Sequence, residues 1–305
     1  MFLILRKTSK GPVFTMGKYK GEIALIVTAI FWGYGFVATA DAIKTLTPYQ
    51  LIFARFLLAS VLFTVIFFKK ILRIKPSLWK KGSVVGALLF LGFVLQTVGI
   101  KYTTPSKNAF LTSVNVIIVP IISMFIFKRK TDRNEVLGAI TALLGIGILT
   151  LRTDGSVNIG DILTLLCAVA FAFQIFYTAI FMKGEDPIEM TIVQIFTCTV
   201  LSGIAFFMEG APMVTPDKGA VLSILFLAFI STGLSTVLQM VGQKYTTETR
   251  ASIFMSTECL WGTLFSVMVA GEAVTLRMLL GGLFIFAGVI LSEIKPFGTG
   301  KISAA

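Results

Sequence analysis

Ten apolar stretches of spanning length follow one another along the chain, separated by short polar or basic interruptions. The pattern predicts helices near 22–41, 49–68, 82–100, 107–127, 134–151, 160–182, 188–208, 219–241, 250–270 and 275–293. Roughly 20 helical residues cross about 30 Å of hydrocarbon, and all ten segments fit that length. The expected fold class is an all-α integral membrane protein.

One decapeptide organises the rest. Leu95-Gln96-Thr97-Val98-Gly99-Ile100-Lys101-Tyr102-Thr103-Thr104 returns as Leu238-Gln239-Met240-Val241-Gly242-Gln243-Lys244-Tyr245-Thr246-Thr247, with eight of ten positions identical at an offset of 143. Such a match inside one chain points to a duplicated unit. Gly21-Glu22 matches Gly160-Asp161, and Pro48 matches Pro187, at an offset of 139. Leu137-Gly138 matches Leu280-Gly281, and Gly145 matches Gly288, at 143. The change of four residues falls between Pro48 and Leu95, where the basic stretch 69–81 accounts for it. Each unit holds five helices, an odd number, so the second enters the membrane upside down. The expected organisation is a basic cytosolic tail (1–20), a first five-helix repeat (21–152), an inverted second repeat (153–294) and a cytosolic C-terminal tail (295–305).

Charge changes the picture by giving orientation. With the N-terminus inside, 20 of the 27 Lys and Arg fall in inner segments, among them Lys69, Lys70, Arg73, Lys75, Lys80 and Lys81, and Lys128, Arg129, Lys130 and Arg133. Six fall outside, and Arg55 lies within a helix. This bias places both termini in the cytoplasm. The chain of 305 residues is 56% hydrophobic, with a mean hydropathy of +0.90 and a net charge of +12. In a soluble protein that charge would raise nucleic acid as a partner; in short loops it reads as topology, and the expected partners are a small-molecule substrate and the lipid bilayer, with a homodimer left open. The apolar start 1–5 is too short for a signal-peptide core, and Met16 is an alternative first residue. The cysteines Cys167, Cys198 and Cys259 lie in apolar runs, which argues against disulfides and a metal site. There is no histidine, which removes His catalysis, His metal ligands and a His proton relay.

Polar groups at helix depth mark candidate chemistry, because one facing lipid is costly. Glu258 lies about 12 Å into the ninth helix at 1.5 Å per residue. It reads as a cavity carboxylate for an ammonium group or a coupling proton, or as a structural carboxylate paired with Arg55 or hydrogen-bonded to backbone. The opposite face of that helix carries Ser252, Ser256, Cys259, Thr263 and Ser266, small residues suited to packing on the fourth helix. Arg55 reads as the partner of Glu258 or as a side chain snorkelling to the headgroups. Their counterparts under the repeat are Asn115 for Glu258 and Gln194 for Arg55. Gln96 and Gln239, with Tyr102 and Tyr245 beyond them, form a symmetric set at opposite faces, read as gates or as interhelical hydrogen bonds with interfacial tyrosines. Thr232 and Ser235 share the Gln239 face. Trp32, Gly33, Tyr34 and Gly35 align with Phe171, Ala172, Phe173 and Gln174, with Tyr177 one turn on; the aromatics suit a ligand wall and the glycines suit helix packing equally. Pro120 is the expected kink of the fourth helix. The substrate-binding candidates are therefore Trp32, Tyr34, Gln96, Asn115, Gln174, Tyr177, Gln239 and Glu258.

The chain carries no Gly-x-Ser-x-Gly elbow, no P-loop and no His-Glu-x-x-His. An enzyme is not expected, nor a cofactor, nor a primary pump. The whole pattern over 21–293 resembles the drug/metabolite transporter superfamily in its EamA-type branch of ten-helix proteins. The matching features are Trp32-Gly33, Pro48 with Arg55 and Ala59, Gly271-Glu272, and Gly138, Gly145, Gly281 and Gly288. Cys259 and Val116 stand where relatives often carry proline, and Lys128-Arg129-Lys130 where they often carry Gly-Glu. The resemblance implies a secondary carrier of small organic metabolites, often exporting amino acids or their derivatives, with a cavity between the repeats and helices 5 and 10 at the periphery. The alternatives are a multidrug efflux carrier and, from another class, a passive channel or lipid flippase.

Overall fold

Proline and short polar side chains start most of the helices. In a computed structural model, which describes residues 16–127, 133–150 and 157–293, the chain is helical nearly throughout. The first three spans are α1 (Met16–Ala42), α2 (Pro48–Ile71) and α3 (Pro76–Ile100). Pro48 opens α2 at a position where its missing N–H costs nothing, and Thr47 forms a capping box with Gln50. The fourth span is divided into α4 (Pro105–Thr112) and α5 (Asn115–Phe127), and α6 (Arg133–Thr150) is the fifth. The second half repeats this with α7 (Ile159–Phe181) and α8 (Pro187–Glu209), then a span made of α9 (Lys218–Leu225), a π-helical segment (Phe226–Leu234) and α10 (Ser235–Tyr245). The ninth span is α11 (Glu248–Ser256) and α12 (Glu258–Ala270), and α13 (Leu276–Glu293) is the tenth. Among the described residues, eight spans are long and apolar enough to cross a membrane, and two shorter apolar helices lie at Val136–Leu149 and Leu276–Leu291.

The packing follows the duplication. The third span packs on the sixth and the first on the eighth; the second packs on the seventh and the fifth on the tenth. Exchanging the two halves maps this set of contacts onto itself, as a pseudo-twofold axis requires. The α6–α13 pair sits at the edge and touches the rest mainly through α4 and α5. Its two helices meet through glycine. A Cβ on Gly145 would lie 2.7 Å from the Gly281 carbonyl, and one on Gly288 would lie 2.6 Å from the Gly138 carbonyl.

Three expectations change. Residues 16–20 belong to α1 rather than to a tail, while residues 1–15, Lys128 to Lys130, Arg152 and the 295–305 tail lie outside the described residues. The stretch 69–81 is mostly helix: α2 runs through Lys70, and α3 begins at Pro76 instead of 82. The lysines there looked like loop because they are charged, yet Lys81 reaches Glu185 at 2.7 Å and Lys70 reaches Asp186 at 2.8 Å. The four-residue offset change therefore belongs to the second half: three residues come in the α8–α9 connection, whose helix starts at 187 and 218 are spaced more widely than those at 48 and 76, and the fourth in the span that holds the π-helical segment. The three cysteines are free and buried.

Asp186 caps α8, accepting from the amides of Ile188 at 2.8 Å and Glu189 at 3.1 Å. Burial pushes its pKa up, but Lys70 and these amides outweigh that and leave it below the usual 3.8. Its contribution is thus complete above the unfolded value and fades as the pH falls through the lowered folded one. Thermal unfolding of wild type and Asp186→Asn should differ at neutral pH and converge only in acid. Gly145→Leu and Gly281→Leu should each destabilise the detergent-solubilised protein by about 1–3 kcal/mol, the usual cost of overpacking, read as a lower unfolding temperature.

Candidate functional site

The fourth and ninth spans break at equivalent places. α4 ends at Thr112 and α5 starts at Asn115; α11 ends at Ser256 and α12 starts at Glu258. Asn115 and Glu258 are counterparts at the offset of 143, so each repeat presents a polar residue at the start of the second half-helix of its broken span. The two breaks touch: Ser113 Oγ lies 3.2 Å from the Ser256 carbonyl, its own counterpart, and 3.0 Å from the Ala109 carbonyl. On the packed face Gly262 sits against Ala109, where a Cβ would come within 2.8 Å. The break is thus seven residues before Pro120, which lies within α5. Around it the amides reach back three residues, Val116 N–H to Ser113 O at 3.2 Å and Leu260 N–H to Thr257 O at 3.0 Å.

Next to the breaks lies a cavity lined by Trp32, Phe36, Thr39, Arg55, Phe93, Gln96, Asn115, Phe171, Gln174, Ser231, Gln239, Met255 and Glu258, among others. Its free interior is small: the centre of a water molecule has about 30 Å³ in which to move. That is room for about two waters.

Arg55 is 2% exposed, so it does not snorkel. Its Nε donates to Thr232 Oγ1 at 2.9 Å and an Nη donates to Ser231 Oγ at 3.4 Å. The guanidinium lies 4.3 Å from the Phe93 ring centre, a cation–π contact. No Arg55 nitrogen comes within 4.0 Å of a Glu258 oxygen, so the pair considered from the sequence is not formed. Glu258 is 4% exposed. It stands at the first position of α12, where the helix N-terminus favours a negative charge. Nearby acceptors also lack donors: Asn115 Oδ1 and Gln239 Oε1 are buried without a hydrogen-bond partner.

A chain of glutamines leads away from the cavity. Gln239 Nε2 donates to Gln174 Oε1 at 3.1 Å, and Gln174 Nε2 donates to Gln194 Oε1 at 3.2 Å. Gln96 Nε2 donates to Thr112 Oγ1 at 3.3 Å, beside the fourth-span break. The π segment exists where Arg55 and Trp32 hold it. Ser235 reaches back five residues to Ile230, and the Trp32 indole N–H donates to the Ser231 carbonyl at 2.9 Å. A π turn leaves carbonyls without their α-helical donors, and side chains take up this one.

Six of the eight candidates line the cavity: Trp32, Gln96, Asn115, Gln174, Gln239 and Glu258. Tyr34 does not; its ring packs edge-on against Phe226 and Phe265. Tyr177 does not either, since it stacks with Phe173 and Phe181. Tyr34, two residues from Trp32, points along another face of its helix, whereas Tyr177 lies one turn beyond Gln174 on the same side and is held in that aromatic stack. Sequence reasoning missed Thr39, Phe93 and Ser231. Thr39 lies two turns beyond Trp32 on one face, a spacing that was available; nothing in the sequence marks the π turn that brings Ser231 in.

The pattern of the EamA-like transporter family matches residues 19–151 and again residues 158–294. The chain belongs to the EamA-like transporter family. It is a multi-pass membrane transporter with two EamA domains, and not an enzyme. An uncharacterized transporter of Archaeoglobus fulgidus is 30% identical over 274 residues, covering 90% of this chain and 86% of that one. A protein of Salmonella typhimurium named a probable amino-acid metabolite efflux pump is 27% identical, covering 91% and 95%. A crystal structure at 16% identity superposes with a TM-score of 0.65 over 91% of this chain and 96% of that one, a likeness of fold alone.

Trp32→Phe keeps the ring and removes the donor to Ser231. The loss of one hydrogen bond, about 1 kcal/mol, should raise amide exchange around 231–236 by about fivefold. Hydrogen exchange followed by mass spectrometry would read this directly, with exchange in α6 unchanged.

Proposed function

We propose that the protein exports small zwitterionic metabolites, amino acids or their derivatives, across the cell (inner) membrane by alternating access. One observation carries this reading: Arg55 and Glu258, a basic and an acidic side chain that are both buried, line one cavity without pairing with each other. A buried ion without a counter-ion costs several kcal/mol. A carboxylate on the substrate supplies the partner for Arg55. The guanidinium has five N–H groups, of which two are engaged with Thr232 and Ser231. An ammonium group on the substrate supplies three donors, and Glu258, Asn115 Oδ1 and Gln239 Oε1 offer acceptors. Trp32, Phe36, Phe93 and Phe171 give the apolar remainder of the substrate a wall. The name of the Salmonella relative agrees with this substrate class.

The small interior belongs to a contracted state that widens to take substrate. When the substrate leaves, a proton takes the place of its ammonium on Glu258. Export is thereby exchanged for inward protons, and Glu258 is the coupling residue. A helical bundle rather than a β-barrel supports a location in the inner membrane of a two-membrane cell. Both termini are in the cytoplasm.

Counterflow in proteoliposomes tests the reading. Vesicles loaded with mixed amino acids should accumulate a labelled amino acid, and not its decarboxylated or deaminated analogue. Arg55→Gln should weaken binding about 10–100-fold, the range for a hydrogen bond to a charged group. Glu258→Gln should abolish the response to an imposed pH gradient. Leak of many solutes without counterflow would replace the carrier with a channel, and equal transport of the analogues would remove the zwitterion. Reporter fusions at either end check the topology: a cytoplasmic signal is expected from both.

A further inference from the structure

We propose that two ion pairs, Lys107–Asp161 and Arg250–Glu22, are the alternating gates of the transporter, and that this structure has the first locked and the second unlocked. The proposal uses alternating access but does not depend on the zwitterionic substrate.

The pairs are counterparts. Asp161 matches Glu22 at the offset of 139, and Lys107 matches Arg250 at 143. Because the halves are inverted, the two pairs lie at opposite ends of the bundle. Each joins the start of a broken span to the start of its half's partner in the other repeat: α4 to α7 at one end, α11 to α1 at the other. The cations are set by equivalent caps. Thr104 accepts from the Lys107 amide at 3.3 Å, and Thr247 accepts from the Arg250 amide at 3.4 Å. Beside each pair two glycines meet. A Cβ on Gly160 would lie 2.6 Å from the Gly99 carbonyl, and one on Gly21 would lie 3.3 Å from that of Gly242. Tyr102 flanks the first contact and Tyr245 the second.

The two ends carry equivalent ion pairs and differ in closure. At the first, Lys107 Nζ reaches Asp161 Oδ2 at 2.6 Å, and the Asp161 side chain is 0% exposed. Thr103 Oγ1 donates to Asp161 Oδ1 at 3.0 Å; the neighbouring bond from Asn108 Nδ2 to Thr164 Oγ1, at 2.7 Å, is particular to this end, since Ala251 and Leu25 stand at the equivalent positions of the other. At the second, Arg250 stands 3.5 Å from Glu22 Oε1, and its side chain is 48% exposed. The counterpart of the Thr103–Asp161 bond is not made there. Thr246 Oγ1 and Glu22 Oε1 are both buried and both without a hydrogen-bond partner. Buried polar atoms normally find partners. These two are the atoms that bond when the second end takes the geometry of the first.

Locking one end therefore means unlocking the other, and removing one acid should bias the molecule in one direction. The test is hydrogen exchange by mass spectrometry on purified full-length protein, which needs no substrate. Asp161→Asn should raise amide exchange around 102–108 and lower it around 245–251, each by about fivefold, the upper end for a partly exposed pair. Glu22→Gln should do the reverse. A rise confined to the mutated end, or a rise at both ends, would overturn the proposal and leave the pairs as local stabilisers. The exchanged pair Lys107→Asp/Asp161→Lys keeps the test decisive where Asp161→Asn folds poorly: it should restore the wild-type pattern, and failure to restore it in a folded protein would also count against the gates. Because no transport is read, failure here leaves the counterflow result standing on its own, and failed counterflow leaves this result untouched.

Discussion

In hydrocarbon, a break in a helix exposes backbone groups that no water can take up. The chain places its breaks in the fourth and ninth spans where they face each other, with Ser113 Oγ 3.2 Å from the Ser256 carbonyl. Much else follows from that placement. The breaks put Asn115 and Glu258 at the starts of α5 and α12 and so into the cavity. The small residues Ala109 and Gly262 let the two spans approach. The same requirement explains the π segment, whose Ser231 carbonyl is taken by the Trp32 indole. Irregular backbone at this depth survives because it is buried in protein.

The duplication supplies symmetry, and the departures from it supply chemistry. Arg55 stands opposite Gln194, and Glu258 opposite Asn115, so each half brings one ionisable side chain to the cavity, basic from the first and acidic from the second. Span eight bends into a π turn, whereas its counterpart α3 is a continuous helix. The two terminal ion pairs keep their chemistry but differ in closure. A symmetric scaffold provides two equivalent ends, and these asymmetric residues provide a site between them.

Much of this was legible in the sequence because lipid imposes strong rules. Spans ten in number, the inverted repeat, and six cavity residues came from hydropathy, a decapeptide and polar residues at helix depth. The failures have physical causes. Lys80 and Lys81 read as loop because charge was taken to exclude helix, yet long side chains reach past the end of the apolar layer. Pro120 drew the expected kink, but the break falls where Ser113 and Val114 take a three-residue reach-back; proline in a helix is one cause of irregularity among several. Tyr34 sits two residues from Trp32, which turns it onto another face; Tyr177 is one turn beyond Gln174 on the same side, and the stack with Phe173 and Phe181 holds its ring out of the cavity. The two terminal ion pairs are not apparent from the sequence because Gly21-Glu22 and Gly160-Asp161 read only as a repeat signal, and the cations that meet them come from another span.

The central claim is that the two ends close in turn around one cavity. Dipolar broadening in continuous-wave electron resonance, which reads the short separations expected here, on spin labels at Tyr102 and Val157, and separately at Tyr245 and Lys20, tests it most directly. The account predicts two distances at each end, with populations that move in opposite directions when Asp161→Asn or Glu22→Gln is introduced. Distances that widen together at both ends, or a single fixed distance at each in every variant, would contradict it.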